Sequence, residues 1–104
     1  MAASGERAIL VVGEQPPEEA LLAEAGRYAE VFVLARTVPV HRSRYLVDAD
    51  RGYAEARGRL NAVVRQLTDR GTRSSGLVGD EDARAARRDA IALFPAAQVL
   101  LEAA

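Results

Sequence analysis

Residues 8 to 14, Ala8-Ile9-Leu10-Val11-Val12-Gly13-Glu14, constrain the fold more than any other stretch. Five apolar residues run without a polar interruption, a glycine closes them, and Pro16-Pro17 follows. A strand with one wet face would alternate; an unbroken run reads as a strand covered on both faces, turning into a helix. A second such run, Val31-Phe32-Val33-Leu34-Ala35, repeats the signal. In an open α/β sheet the first strand-to-helix turn is where a ligand site is built, so Gly13 and Glu14 become the first candidate binding residues.

Between the two runs, a helix is expected from Pro17, with Glu18 and Glu19 at the positive end of its dipole and Leu21, Ala25 and Tyr28 on one stripe. The stretch from Arg36 to Val47 is the longest connection. A long helix is predicted over about 49–70, with Tyr53, Ala56, Leu60, Val63, Val64 and Leu67 at helical spacing and Gly71 as its stop. A third strand, near 72–78, is polar until Leu77-Val78 and therefore suits a sheet edge. Asp80 reads as the N-cap of a last helix, with Ala83, Ala86, Ala90 and Phe94 inward and Pro95 as terminator. A fourth strand is expected at 97–101, and residues 1–6 are expected to be a loose tail. This β-α-β-α-β-α-β order predicts a single α/β domain, an open parallel four-stranded sheet covered by helices.

Composition narrows the functional classes. The chain has 104 residues and is 49% hydrophobic but 5% aromatic, so aliphatic side chains must fill its core. All 14 basic residues are arginine and the formal net charge is -1. Such a balance offers no global field for nucleic acid or an anionic membrane. Stacking aromatics in a strand are also missing. Without cysteine there are no disulfides, thiol nucleophiles or thiolate metal sites. No signal peptide is evident and no apolar run approaches about 18 residues, which leads to the expectation of a cytoplasmic, soluble domain.

Three places resemble short members of the universal stress protein family: the helix start Val47-Asp48-Ala49-Asp50, the strand-to-helix turn Val78-Gly79-Asp80-Glu81-Asp82, and the helix end Phe94-Pro95-Ala96. The resemblance extends from Ala8 to Leu101. It implies a nucleotide-binding-type α/β fold with strand order 3-2-1-4 and helices on both faces, in accord with the polar character of the third strand. It also implies that Val78 and Gly79 lie against an adenine base. ATP-binding members place an aspartate just after the first strand; here Gly13-Glu14 occupies that position. They also carry a glycine-rich phosphate loop after the fourth strand, and the given chain ends at Ala104 before one. The resemblance therefore implies a stress-associated or regulatory protein in which normal ATP binding is lost and no cofactor is required. The alternative is a sensor of adenosine, AMP or another small anion.

Other constellations carry less. Arg36, His41, Arg42 and Arg44 could grip an anion through their guanidiniums, or be a solvated loop. His41 and Ser43 have no acid to complete a triad. Asp48, Asp50 and Gly52 begin like a calcium loop but lack the terminal glutamate. Asp80, Glu81 and Asp82 are explained by helix capping. Nothing in the sequence points to catalysis. A receiver domain is argued against by Gly13-Glu14 and the absence of lysine.

The fourth strand, Ala97 to Leu101, is apolar although the expected order puts it at an edge. An apolar edge invites pairing with another chain, so a homodimer contact is expected at Val99, Leu100 and Leu101. The competing expectation is a C-terminal tail that folds back over the edge.

Overall fold

The structure, a computed structural model, describes residues 3–38, 41–43, 46–47 and 49–103. The elements are β1 (Ala3–Val12), α1 (Glu19–Ala25), β2 (Tyr28–Arg36), β3 (His41–Ser43), β4 (Leu46–Val47), α2 (Ala49–Asp69), β5 (Arg73–Gly79), α3 (Ala83–Leu93) and β6 (Val99–Glu102). Four of the strands form one all-parallel sheet in the order β5-β2-β1-β6. The four strands expected from the sequence are β1, β2, β5 and β6, so this is the 3-2-1-4 order.

The two unbroken apolar runs are the two central strands, because only central strands are covered from both sides. Leu10, Val12, Val31, Val33 and Ala35 face α1 and α2 and pack on Leu22, Ala25, Leu60, Val63 and Leu67. The alternate residues Ile9, Val11, Phe32 and Leu34 face α3 and pack on Ala86 and Ala90. Helices therefore cover both faces, and every residue from Ala8 to Val12 and from Val31 to Ala35 is buried. At the margin of the α3 layer, Phe94 stacks on Phe32 with centroids 5.4 Å apart and planes 7° off parallel.

Several boundaries differ from the sequence reading, each for a local reason. Residues 3–6 are part of β1, whose register on β2 shifts between Ala3 and Arg7. Pro17 lies outside α1: Glu18 is the N-cap, in an extended conformation (φ -65°, ψ 153°), and the helix starts at Glu19. Tyr28 opens β2 and does not extend the α1 stripe, because the Gly26 N–H closes the helix on the Leu22 carbonyl at 2.9 Å.

In α2 the inward stripe runs through Gly52, Ala56, Leu60, Val63 and Leu67, and Tyr53 is turned out, 49% exposed. Gly52 takes the inward position because a Cβ there would lie 3.0 Å from the Val38 carbonyl oxygen. Gly71 follows α2 at φ +83°, where glycine carries no Cβ penalty.

The N-cap of α3 is Asp82, not Asp80. Asp82 Oδ2 accepts the Ala85 N–H at 3.1 Å, while Asp80 Oδ1 accepts the Asp82 N–H at 2.8 Å and turns the chain into the cap. Between Arg36 and Val47, β3 and β4 pair antiparallel as a small separate hairpin. At the other end, the chain does not fold back over the β6 edge within the described residues. Ala103 is buried and its N–H donates to the Val11 carbonyl at 2.9 Å, continuing the pairing with β1.

Candidate functional site

The carboxyl ends of the parallel strands gather the β1–α1 turn, the residues after β2, the N-terminal half of α2 and the β5–α3 turn. Chain order reverses between β1 and β6, and the crevice at such a reversal is the usual ligand position in open α/β sheets. Here it is a cleft of about 560 Å³ bounded by Pro16, Pro17, Glu18, Leu21 and Glu102. That volume lies within the range of small-molecule sites.

Its lining includes two glutamates and no arginine. Glu18 is exposed at the head of α1 and makes no side-chain cap. Glu102 ends β6 and receives Arg87 Nη1 from α3 at 3.1 and 3.0 Å on its two oxygens. Arg87 is thus paired, and it is not among the residues that line the cleft.

Gln15, Pro16 and Pro17 are shared with a second, smaller crevice of about 130 Å³ on the α2 side. It is floored by Val12 and Gly13, with Arg59 and Val63 of α2 opposite. Gly13 is buried and Glu14 is exposed, so of the predicted pair only Gly13 lines a cavity.

Val78 and Gly79 end β5, and β2 separates them from Gly13. Two strand spacings amount to about 10 Å. The residue following β2 is tied to the end of β5. The Gly79 carbonyl accepts the Thr37 N–H at 3.1 Å and the Thr37 hydroxyl at 2.7 Å. A Cβ on Gly79 would stand 2.9 Å from the Leu34 side chain, so this glycine permits close packing on the α3 side of the sheet. Val78 packs, half-buried, against the core facing α1 and α2.

Of the expected anion cluster, Arg36 sends Nη1 to the Glu81 carbonyl at 2.9 Å and its own carbonyl accepts Arg59 Nη2 at 2.9 Å. His41 and Arg42 lie in β3. Arg44 and Asp48 lie outside the described residues. Among the described residues, no group of three or more His, Cys, Asp or Glu could hold a metal ion, and no helix is long and apolar enough to cross a membrane.

Val99, Leu100 and Leu101 pair with Ala8, Ile9 and Leu10 on one side of β6, and β6 is an edge of the sheet. Leu100 packs toward α3, and Leu101 toward α1 and α2. On α3, Ile91 lies one turn beyond Arg87, on the flank that reaches β6 through Glu102, and it is 55% exposed.

Sequence reading did not single out Arg59, Glu18 or Glu102 as site residues. Arg59 had a legible signal, since it borders the apolar stripe at positions 56, 60 and 63. The two glutamates had none, because they meet across one cleft from opposite ends of the chain.

No protein-family model, no curated protein and no solved structure matches this chain.

Proposed function

We propose that this chain is a universal-stress-protein-like domain acting as a non-catalytic, stress-associated or regulatory protein, homodimeric through the β6 edge and without normal ATP binding. The observation that carries the reading is that no cation is among the residues lining the switch-point cleft. A nucleotide triphosphate at this position needs backbone amides and cations around its phosphates. Glu18 and Glu102 stand there instead, and Arg87 is engaged by Glu102. Glu102 is neutralised by its pair, and exposed Glu18 adds like charge that opposes a polyanion. Glu14, exposed after β1, stands where resembling ATP-binding domains place an aspartate.

The dimeric part of the reading is supported by the contrast between the two sheet edges. β5 carries Arg73, Ser74 and Ser75, whereas β6 is Val99-Leu100-Leu101 with exposed Ile91 on the adjoining flank of α3. Charged and polar residues protect an edge strand from pairing; an apolar edge promotes it.

Native mass spectrometry of the whole chain, as purified and after addition of Mg-ATP, tests both parts. The expected spectrum contains a species of twice the 11.2 kDa chain mass without stoichiometric ATP. A chain that stays monomeric at micromolar concentration overturns the edge pairing. One ATP retained per chain overturns the reading that normal ATP binding is lost.

A further inference from the structure

We propose that the crevice between the β1–α1 turn and α2 is a binding site for a small monocarboxylate, with Arg59 as its anchor. Among the described residues the guanidinium of Arg59 makes one hydrogen bond, from Nη2 to the Arg36 carbonyl at 2.9 Å. No carboxylate among the described residues pairs with it. Its Nε is buried without a partner. A charged donor withdrawn from water and left open is costly, and such a group in a folded protein calls for a partner that the described residues do not supply. Nε–H and an Nη hydrogen form the side-on edge of the guanidinium, whose spacing matches the two oxygens of a carboxylate. Nε is covered in the unliganded position, so binding turns the guanidinium toward the crevice and exchanges the Nη2 bond to the Arg36 carbonyl for the carboxylate.

Size and wall chemistry select the ligand. At about 130 Å³ the crevice has room for roughly four water molecules' worth of volume. That suits a ligand of about four to six heavy atoms and is below the range of nucleoside-sized pockets. Val12, Val63, Pro16 and Pro17 present carbon to it. A phosphate dianion would leave oxygens desolvated against these side chains. A carboxylate can put both oxygens on Arg59 and its short carbon tail on the apolar walls. The site goes beyond the function proposed above: it shares only the 15–17 turn with the larger cleft and does not depend on dimerisation.

The test is a titration of the whole chain with propionate, at constant ionic strength, followed by the Arg59 Nε–H signal in 15N NMR and by the melting temperature. Propionamide, sodium phosphate and chloride serve as comparison ligands. Saturable movement of the Arg59 signal and a rise in melting temperature are expected with propionate. Binding should be at least tenfold weaker for propionamide, for phosphate, and in the Arg59→Met variant. Ala62→Leu, on the exposed rim of the crevice, fills it without removing the arginine and should also abolish binding. It decides the matter if Arg59→Met fails to fold. A response to propionate no different from that to chloride, tighter binding of phosphate, or binding retained in Ala62→Leu would overturn the proposal.

Discussion

A Cβ on Gly76 would stand 2.1 Å from the carbonyl oxygen of Val33, its register partner on β2, and 2.7 Å from Leu60 Cδ1. The edge strand is thus clamped between its neighbour's backbone and α2, and glycine at this position is a packing requirement. Gly76→Ala is expected to destabilise the domain by about 3 kcal/mol or more, the upper end for overpacking. A urea midpoint measured against wild type checks this. Gly58→Ala is the counterpart: nothing stands within 4 Å of a Cβ there. It should stabilise α2 by about 0.5–1 kcal/mol.

The two bonds on the Gly79 carbonyl predict a modest cost when one is removed. Thr37→Val keeps the shape and the backbone N–H bond but deletes the 2.7 Å hydroxyl donor. Since the carbonyl remains satisfied, the loss should lie near the low end of the range for a hydrogen bond, about 0.5–1 kcal/mol. A loss above about 2 kcal/mol would mean that the hydroxyl organises the whole β2–β5 rim. Equilibrium denaturation distinguishes the two.

The correction at the head of α3 has its own test. Asp82→Ala removes the side-chain cap and should cost about 1 kcal/mol. Asp80→Ala removes a turn bond outside the helix and should cost clearly less. Equal losses, or the reverse ranking, in thermal unfolding would return the N-cap to Asp80.

Phe32 and Phe94 stack almost parallel at the edge of the α3 layer. A double-mutant cycle with Phe32→Leu and Phe94→Leu should yield a coupling of about 0.5–1.5 kcal/mol beyond the area each ring buries. A coupling near zero would show that each ring contributes only through its own burial.

Much of the architecture was legible because it rests on patterns that survive in one dimension. Two unbroken apolar runs identified the central strands, the polar stretch before Leu77 identified an edge, and the spacing of Ala56, Leu60, Val63 and Leu67 identified the inner face of α2. Boundaries were less legible where two local signals competed. Pro17 could open a helix, yet the chain stays extended through Glu18; Asp80 and Asp82 are both capping residues, and only geometry tells which carboxylate meets the Ala85 N–H. The inward place of Gly52 was invisible, since its reason is the Val38 carbonyl.

The sequence by itself determined the class of fold and the order of the four sheet strands and three helices along the chain, because hydrophobic periodicity is a local property set by the geometry of helix and strand. Only the tertiary structure decided which residues share the carboxyl end of the sheet. It placed Glu18 and Glu102 in the lining of one cleft, tied Thr37 to the Gly79 carbonyl, and left Arg59 without a carboxylate among the described residues. Those relations join residues tens of positions apart, and their energies depend on distance and burial, which no stretch of sequence carries.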